Sequence, residues 1–301
     1  FPRPATAICF TGHARTLVQP LVRRTLKQNF VEAFGGDITV FAAIKLTDAH
    51  ARDDITPYKA SHERVVTALS SLGVRSANAM ISETSLPGSH PLPTCQVDND
   101  TLSQDHTLSR IRSFAGQMNG RLACARLIEH EEARRRRRFA YVILTRPDMS
   151  WPYAIRPFCM WDFTRTVSKF DWVYMGPRTH AELWLKQVAI DFFDCTRRYG
   201  PHVSVMEWVQ TALESLPKAE LDEYDAGADG RLSGFVQRDA REAREENFGE
   251  AGFMCDLLHA TSTETCTLLS HLSEERVKLV NDFSQKILPK LSAVNDFLTG
   301  R

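Results

Sequence analysis

The sequence lacks a surplus of charge of either sign. Lys plus Arg number 37 and Asp plus Glu number 37 in 301 residues, so no global field gathers polyanions, which argues against a dedicated nucleic-acid binder. Long hydrophobic runs are missing too: the uncharged apolar stretches are strand-sized, far short of a membrane span, and the chain as given reads as soluble. Phe1-Pro2-Arg3-Pro4 has no signal-peptide core, and so abrupt an opening is compatible with the cut edge of a longer precursor whose upstream signal or anchor would be its link to a membrane. None of the seven cysteines forms a Cys-x-x-Cys pair or clusters with histidine as metal ligands do. Cys9, inside Ile8-Cys9-Phe10, reads as a buried thiol. The phosphate-cradling Gly-x-x-x-x-Gly-Lys-Ser/Thr and the dinucleotide-binding Gly-x-Gly-x-x-Gly are both absent, which counts against nucleotide kinases and nicotinamide enzymes.

What is present is enough apolar material for a full core, 43% of residues, arranged as alternating strand-like and helix-like segments. That alternation predicts an α/β fold with a mostly parallel central sheet flanked by helices. Strands are predicted over residues 5–10, 37–43, within 74–82, from 139 and over 170–176. Helices are predicted from the turn at 11–15 to Gly35-Gly36, over 61–72, 108–134, 180–199 and 203–216, and in a C-terminal region marked by Val277, Val280, Ile287, Leu291, Val294 and Leu298. Residues 84–100, rich in Pro, Ser, Gly and Asn, read as a surface loop holding the glycosylation sequon Asn99-Asp100-Thr101. Residues 218–247, charged and punctuated by glycine, read as a mobile insertion or acceptor-side loop. The run Arg134 to Arg138 reads as a solvated helix end, with a phosphate or membrane-surface patch as the alternative.

The densest signal is Tyr141-Val142-Ile143-Leu144-Thr145-Arg146-Pro147-Asp148-Met149-Ser150-Trp151, a buried strand that breaks into a turn bearing a cation and an acid. Ligands of open α/β sheets bind in the crevice beyond the carboxyl ends of the strands, so Arg146 and Asp148 emerge where chemistry is expected. Thr11-Gly12-His13-Ala14-Arg15 follows the first strand in the same manner, offering backbone N–H groups and an arginine where a phosphate can rest.

Ile8-Cys9-Phe10-Thr11-Gly12-His13-Ala14-Arg15-Thr16, Asp37-Ile38-Thr39-Val40-Phe41-Ala42, Tyr141 to Asp148 and Asp171-Trp172-Val173-Tyr174-Met175-Gly176, in that order, resemble a group of poorly characterised glycosyltransferase-like proteins. These are similar to GT-A-type nucleotide-sugar transferases, and the resemblance covers roughly residues 5–180. It implies a GT-A-like, Rossmann-type single domain over 1–301, with residues 5–180 as the nucleotide-sugar-binding half and 181–301 as the acceptor-side and helical C-terminal part. It also implies transfer of a sugar from a nucleotide-sugar donor to a glycan or glycoprotein acceptor, in the secretory pathway, the Golgi lumen or at the cell surface.

Such enzymes usually hold Mn²⁺ or Mg²⁺ on the donor diphosphate with an Asp-x-Asp motif. Asp148 matches the last acid, which makes it the implied metal ligand and catalytic carboxylate. Arg146 stands where the first acid would be, so an alternative is a guanidinium fork that neutralises the diphosphate directly, or an ion pair that merely closes the strand end. Thr11, Gly12 and Arg15 match the donor-side loop, and Phe41 and Ala42 would lie near the base. Trp151 and Trp172 offer faces for stacking, or else are core. A general base for transfer by inversion is sought in Glu250, within Asn247-Phe248-Gly249-Glu250, with Asp171 and Glu207 as lesser candidates. Two other functions stay open: a transferase-like fold without catalysis that binds glycans or serves as a structural cell-surface component, and a sulfotransferase.

Overall fold

The computed structural model describes residues 3–47, 60–96, 105–151, 154–169, 172–197, 205–213, 221–223 and 235–236. The predicted C-terminal helix, the 218–247 segment apart from two short strands, Asp171 and Glu250 lie outside them.

Strand β1 (Ala5–His13) is apolar and buried from Ala5 to Phe10 except for the buried Thr6, because both faces are covered there, the pattern expected of an inner parallel strand. It lies between β2 (Asp37–Lys45) and β4 (Tyr141–Thr145), parallel to both, with Phe10 opposite Ala42 on one side and Thr145 on the other. β3 (Ala79–Ser82) extends the sheet beyond β2. On the other flank, β7 (Val173–Pro177) runs antiparallel to β4, followed by β6 (Thr166–Lys169) and β8 (Leu221–Glu223), giving the order β3-β2-β1-β4-β7-β6-β8. β7 alone is reversed, so the sheet is mixed but mostly parallel. A second, two-stranded sheet pairs β5 (Met149–Ser150) with β9 (Phe235–Val236).

Side chains alternate between two cores. Ala7, Cys9, Phe41, Val142 and Leu144 face α3 (Asp105–Arg135), whose Phe114, Met118, Leu122 and Ile128 repeat at helical spacing; α5 (Val188–Phe193) and α6 (Val205–Leu213) complete this layer. Ile8, Phe10, Val40, Ala42, Tyr141 and Ile143 face the layer containing α1 (Pro20–Thr25) and α2 (His62–Ser71). Two helices are interrupted by π-helical stretches: α1 runs into Leu26–Glu32, and α4 (Arg178–Ala181) is joined to α5 through Glu182–Gln187.

Several boundaries move. The strand expected over 170–176 is β7, which starts at Val173 and ends at Pro177. β6 went unread because only Val167 in Thr166-Val167-Ser168-Lys169 is apolar. Cys9 is not a thiol. It is bonded to Cys124 across 115 residues, tying β1 to α3 inside the core, and a second disulfide joins Cys95 to Cys195; Cys159 is also disulfide-bonded. The described part of the 84–100 loop is strapped down. His90 N donates to Asn119 Oδ1 at 2.8 Å, Asn119 Nδ2 returns a bond to His90 O at 2.9 Å, and Gln96 Nε2 donates to the carbonyls of Phe192 and Arg197.

Candidate functional site

After β1 the chain runs outward to β2 and β3, then returns so that β4 pairs on the other side of β1. The two strands therefore diverge in connectivity at their carboxyl ends, the switch point where open α/β sheets form a ligand crevice. The turn after β1 and the turn after β4 meet there. Gly12 has φ +138°, and a Cβ on it would lie 3.3 Å from Pro147 Cδ, so the close approach of the two turns requires glycine. Ala14 N donates to Lys45 O at 2.8 Å and the His13 ring Nδ1 lies 3.0 Å from Thr47 O, fastening the first turn to the end of β2. Arg15 takes a positive φ of 24°.

The second turn is held from below by α1 and its π-helical continuation. Thr25 Oγ1 accepts from Trp151 N at 3.1 Å, Asn29 Nδ2 donates to Trp151 O at 2.6 Å, and Ile155 N donates to Asn29 O at 2.7 Å. The indole of Trp151 is fully buried, 4.4 Å from the Phe30 ring between centroids. This packing leaves Asp148 1% exposed at the crevice floor.

Both arginines converge on that carboxylate. Arg146 Nε donates to Oδ1 and Nη2 to Oδ2, each at 2.9 Å, a bidentate fork; Arg15 Nη1 donates to Oδ2 at 3.0 Å. Burial alone would push the Asp148 carboxyl up, but the charges and hydrogen bonds of Arg146 and then Arg15 outweigh it and hold it below the usual carboxylate range. Two guanidiniums share the one carboxylate. Their side chains keep 21% (Arg15) and 19% (Arg146) of their surface exposed against 2% for Asp148, so the cationic edges, not the acid, face outward.

A divalent cation does not fit Asp148 in this arrangement. Both of its oxygens are committed to guanidinium donors, and a metal there would sit against two fixed positive charges. Among the described residues no group of three His, Cys, Asp or Glu side chains is placed to hold a metal ion. The expected metal ligand is instead the anchor of an arginine pair.

Other expectations also change. Phe41 and Ala42 are fully buried within β2, Phe41 edge-on to Phe139 in the α3 core and Ala42 in the opposite core, so neither presents a surface to a base. Trp151 is core, and Trp172 packs on the α1-side core. Thr11, Gly12 and Arg15 do stand at the crevice, half-buried. Glu207 is exposed on α6, in a helix on the α3 side.

Sequence reading passed over the α3 contribution. Gly116 and Gly120, four residues apart on one helix face, lie against Lys45 and Thr11. A Cβ at 116 would come 2.8 Å from Lys45 Nζ, and one at 120 would collide with the Thr11 hydroxyl. Two glycines at this spacing inside an amphipathic helix were the available signal. Lys45, a half-buried cation at the end of β2, follows the same strand-end logic that singled out Arg146. The chain matches no family model, no curated protein and no solved structure.

Proposed function

We propose that this chain is a nucleotide-sugar-dependent glycosyltransferase with a GT-A-like fold, and that it holds the donor diphosphate with arginines in place of an acid-bound cation. The observation that carries this reading is the convergence of Arg15 and Arg146 on buried Asp148 at the β1/β4 switch point. Planar guanidinium forks suit phosphate oxygens, and positive charge fixed beforehand stabilises the charge that develops on a departing nucleoside diphosphate. Asp148 fixes the orientation of both forks, and Gly12 brings the backbone of the first turn close to the same place. Lys45 adds a third cation along the sheet edge. The acceptor in this reading is a glycan or glycoprotein, and Glu250 is its proposed base. Disulfides are retained in oxidising compartments, so Cys9–Cys124 and Cys95–Cys195, with the sequon at Asn99, support a place in the secretory pathway or at the cell surface.

The test is a thermal-shift screen of nucleotide sugars, with and without Mn²⁺, against phosphoadenosine donors, followed by donor turnover with Arg15→Ala and Arg146→Ala. Metal-independent stabilisation by a nucleotide sugar, lost in both variants, is the expected result. Stabilisation by phosphoadenosine donors alone would move the chain to sulfate transfer. One observation favours a second reading, a transferase-like fold without turnover: Asp148 is consumed by its ion pairs. Nucleotide-sugar binding without transfer or hydrolysis would select it.

A further inference from the structure

The opposite end of the sheet carries a second concentration of arginine. There α3 ends, β4 begins, and Ala140 N donates to Ala5 O at the start of β1. A groove of about 720 Å³ lies at this end, lined by Arg136, Arg137, Arg138 and Arg178 with Glu132 and Glu182 among its walls. The five residues of β4 separate it from Arg146, a distance on the order of 20 Å along the sheet.

The carboxylates of this groove are taken. Arg178 donates to both oxygens of Glu132, at 3.0 and 3.2 Å, and to Glu182 at 2.7 Å; Lys186 donates to Glu129, a further lining residue, at 2.8 Å. Arg138 stands 3.9 Å from Glu182. That leaves Arg136 and Arg137, both exposed, with no carboxylate partner among the described residues, on a wall where four arginines face three glutamates.

The backbone gives an independent indication. The helix closes with Arg136 N bonded to Ala133 O and Arg137 N to Glu132 O, both at 3.2 Å, the paired bonds of a Schellman cap. Its left-handed position, φ +53°, is filled by Arg136 where glycine fits without strain. The helix dipole favours a cation at this end, yet glycine takes the left-handed position without strain, and here the strained residue is one whose side chain lines the groove.

We propose that this groove binds the sulfate or phosphate ester groups of an acidic glycan through Arg136 and Arg137, with Arg138 alongside. Guanidinium forks match the oxygens of such esters. The disulfides point to an oxidising compartment, where acidic glycans rather than nucleic acids are the available polyanions. The groove is separate from the arginine pair at the switch point, so the proposal stands whether or not that pair holds a sugar nucleotide.

The test measures binding of a sulfated heparin hexasaccharide, a mannose-6-phosphate oligosaccharide and inorganic pyrophosphate by calorimetry, at low and moderate salt. Wild type, Arg136→Gly, Arg137→Gln and the double variant are compared. Arg136→Gly relieves the backbone, so its unfolding midpoint should rise while its affinity for an ester-bearing glycan falls; the double variant should lose about tenfold or more. Loss for the sulfated or for the phosphorylated glycan supports the site and identifies its ester. Equal binding by wild type and double variant, or binding of neither glycan, overturns it. Pyrophosphate binding that is as tight as the glycans' and is lost in the double variant overturns the glycan assignment, and a lowered midpoint in Arg136→Gly removes Arg136 from it.

Discussion

Replacing Asp148 by Asn keeps the shape of the side chain and removes the charge that two guanidiniums share. Removing one partner of a buried pair costs roughly 3–5 kcal/mol, because the surviving charge is left uncompensated. Here the surviving charges are 21% and 19% exposed and Asn keeps one acceptor oxygen, so water and the amide recover part of that loss. A loss of about 2–3 kcal/mol follows, equivalent to a fall in unfolding temperature of roughly 3–5 °C for a chain of this size. The pH dependence supplies a second measure. Asp148 titrates below its ordinary value in the folded chain, so its stabilisation is fully present above the unfolded carboxyl pKa of about 3.9 and is lost as pH falls through the lower folded value. Asp148→Asn has no such term, and the gap between the two proteins should close below about pH 4. If the two forks form an anion site, pyrophosphate should restore more stability to Asp148→Asn than it adds to wild type, up to about 2.7 kcal/mol at a hundred times its Kd. Scanning calorimetry at pH 7 and near pH 3, with and without pyrophosphate, measures all three. A midpoint within about 1 °C of wild type at pH 7 would refute the clamp.

Gly120→Ala gains up to about 1 kcal/mol of helix propensity but drives a methyl into the Thr11 side chain, so urea unfolding should show a net loss of about 1–2 kcal/mol; a more stable variant would mean that α3 does not press on the β1 turn. Cys9→Ala with Cys124→Ala opens a cross-link spanning 115 residues, which in the chain-entropy account is worth up to about 5 kcal/mol, read from the urea midpoint against wild type. Gly12→Ala must accommodate a Cβ 3.3 Å from Pro147 at φ +138°, and should lose 1–3 kcal/mol, roughly, together with anion affinity at the crevice; unchanged affinity in a folded variant would separate the turn from the site.

The strands that position the site were legible because burial on both faces writes itself as continuous apolar sequence: Ala5 to Phe10 and Tyr141 to Leu144 contain nothing else but Thr6. The long helix was legible for the complementary reason, a 3.6-residue repeat sustained from Ile111 to Ile128. Strand direction is not written locally. Val173 to Gly176 has the same apolar character as β4, yet it pairs antiparallel to it. β6 has only Val167 as an apolar residue, too little to register as a pattern. The Cys9–Cys124 bond was invisible because spacing along the chain says nothing of which helix residue passes behind β1.

The acid and the cations at the strand ends were legible as suspects, with an ion pair at Arg146 among the alternatives, but the convergence of Arg15 on the same acid was not. Sequence order placed Asp148 beside Arg146 and left Arg15 far upstream, so the acid read as a metal ligand with an arginine substituted nearby. The fold inverts that relation. Because β1 and β4 are adjacent and parallel, the turn after β1 delivers Arg15 to the same carboxylate, and α1 seals the turn beneath it. An aspartate 2% exposed and carrying three guanidinium hydrogen bonds spends its charge on orientation. The groups left facing the crevice are the two guanidiniums, which is why the proposed ligand is an anion and why the decisive variant is the one that removes the acid.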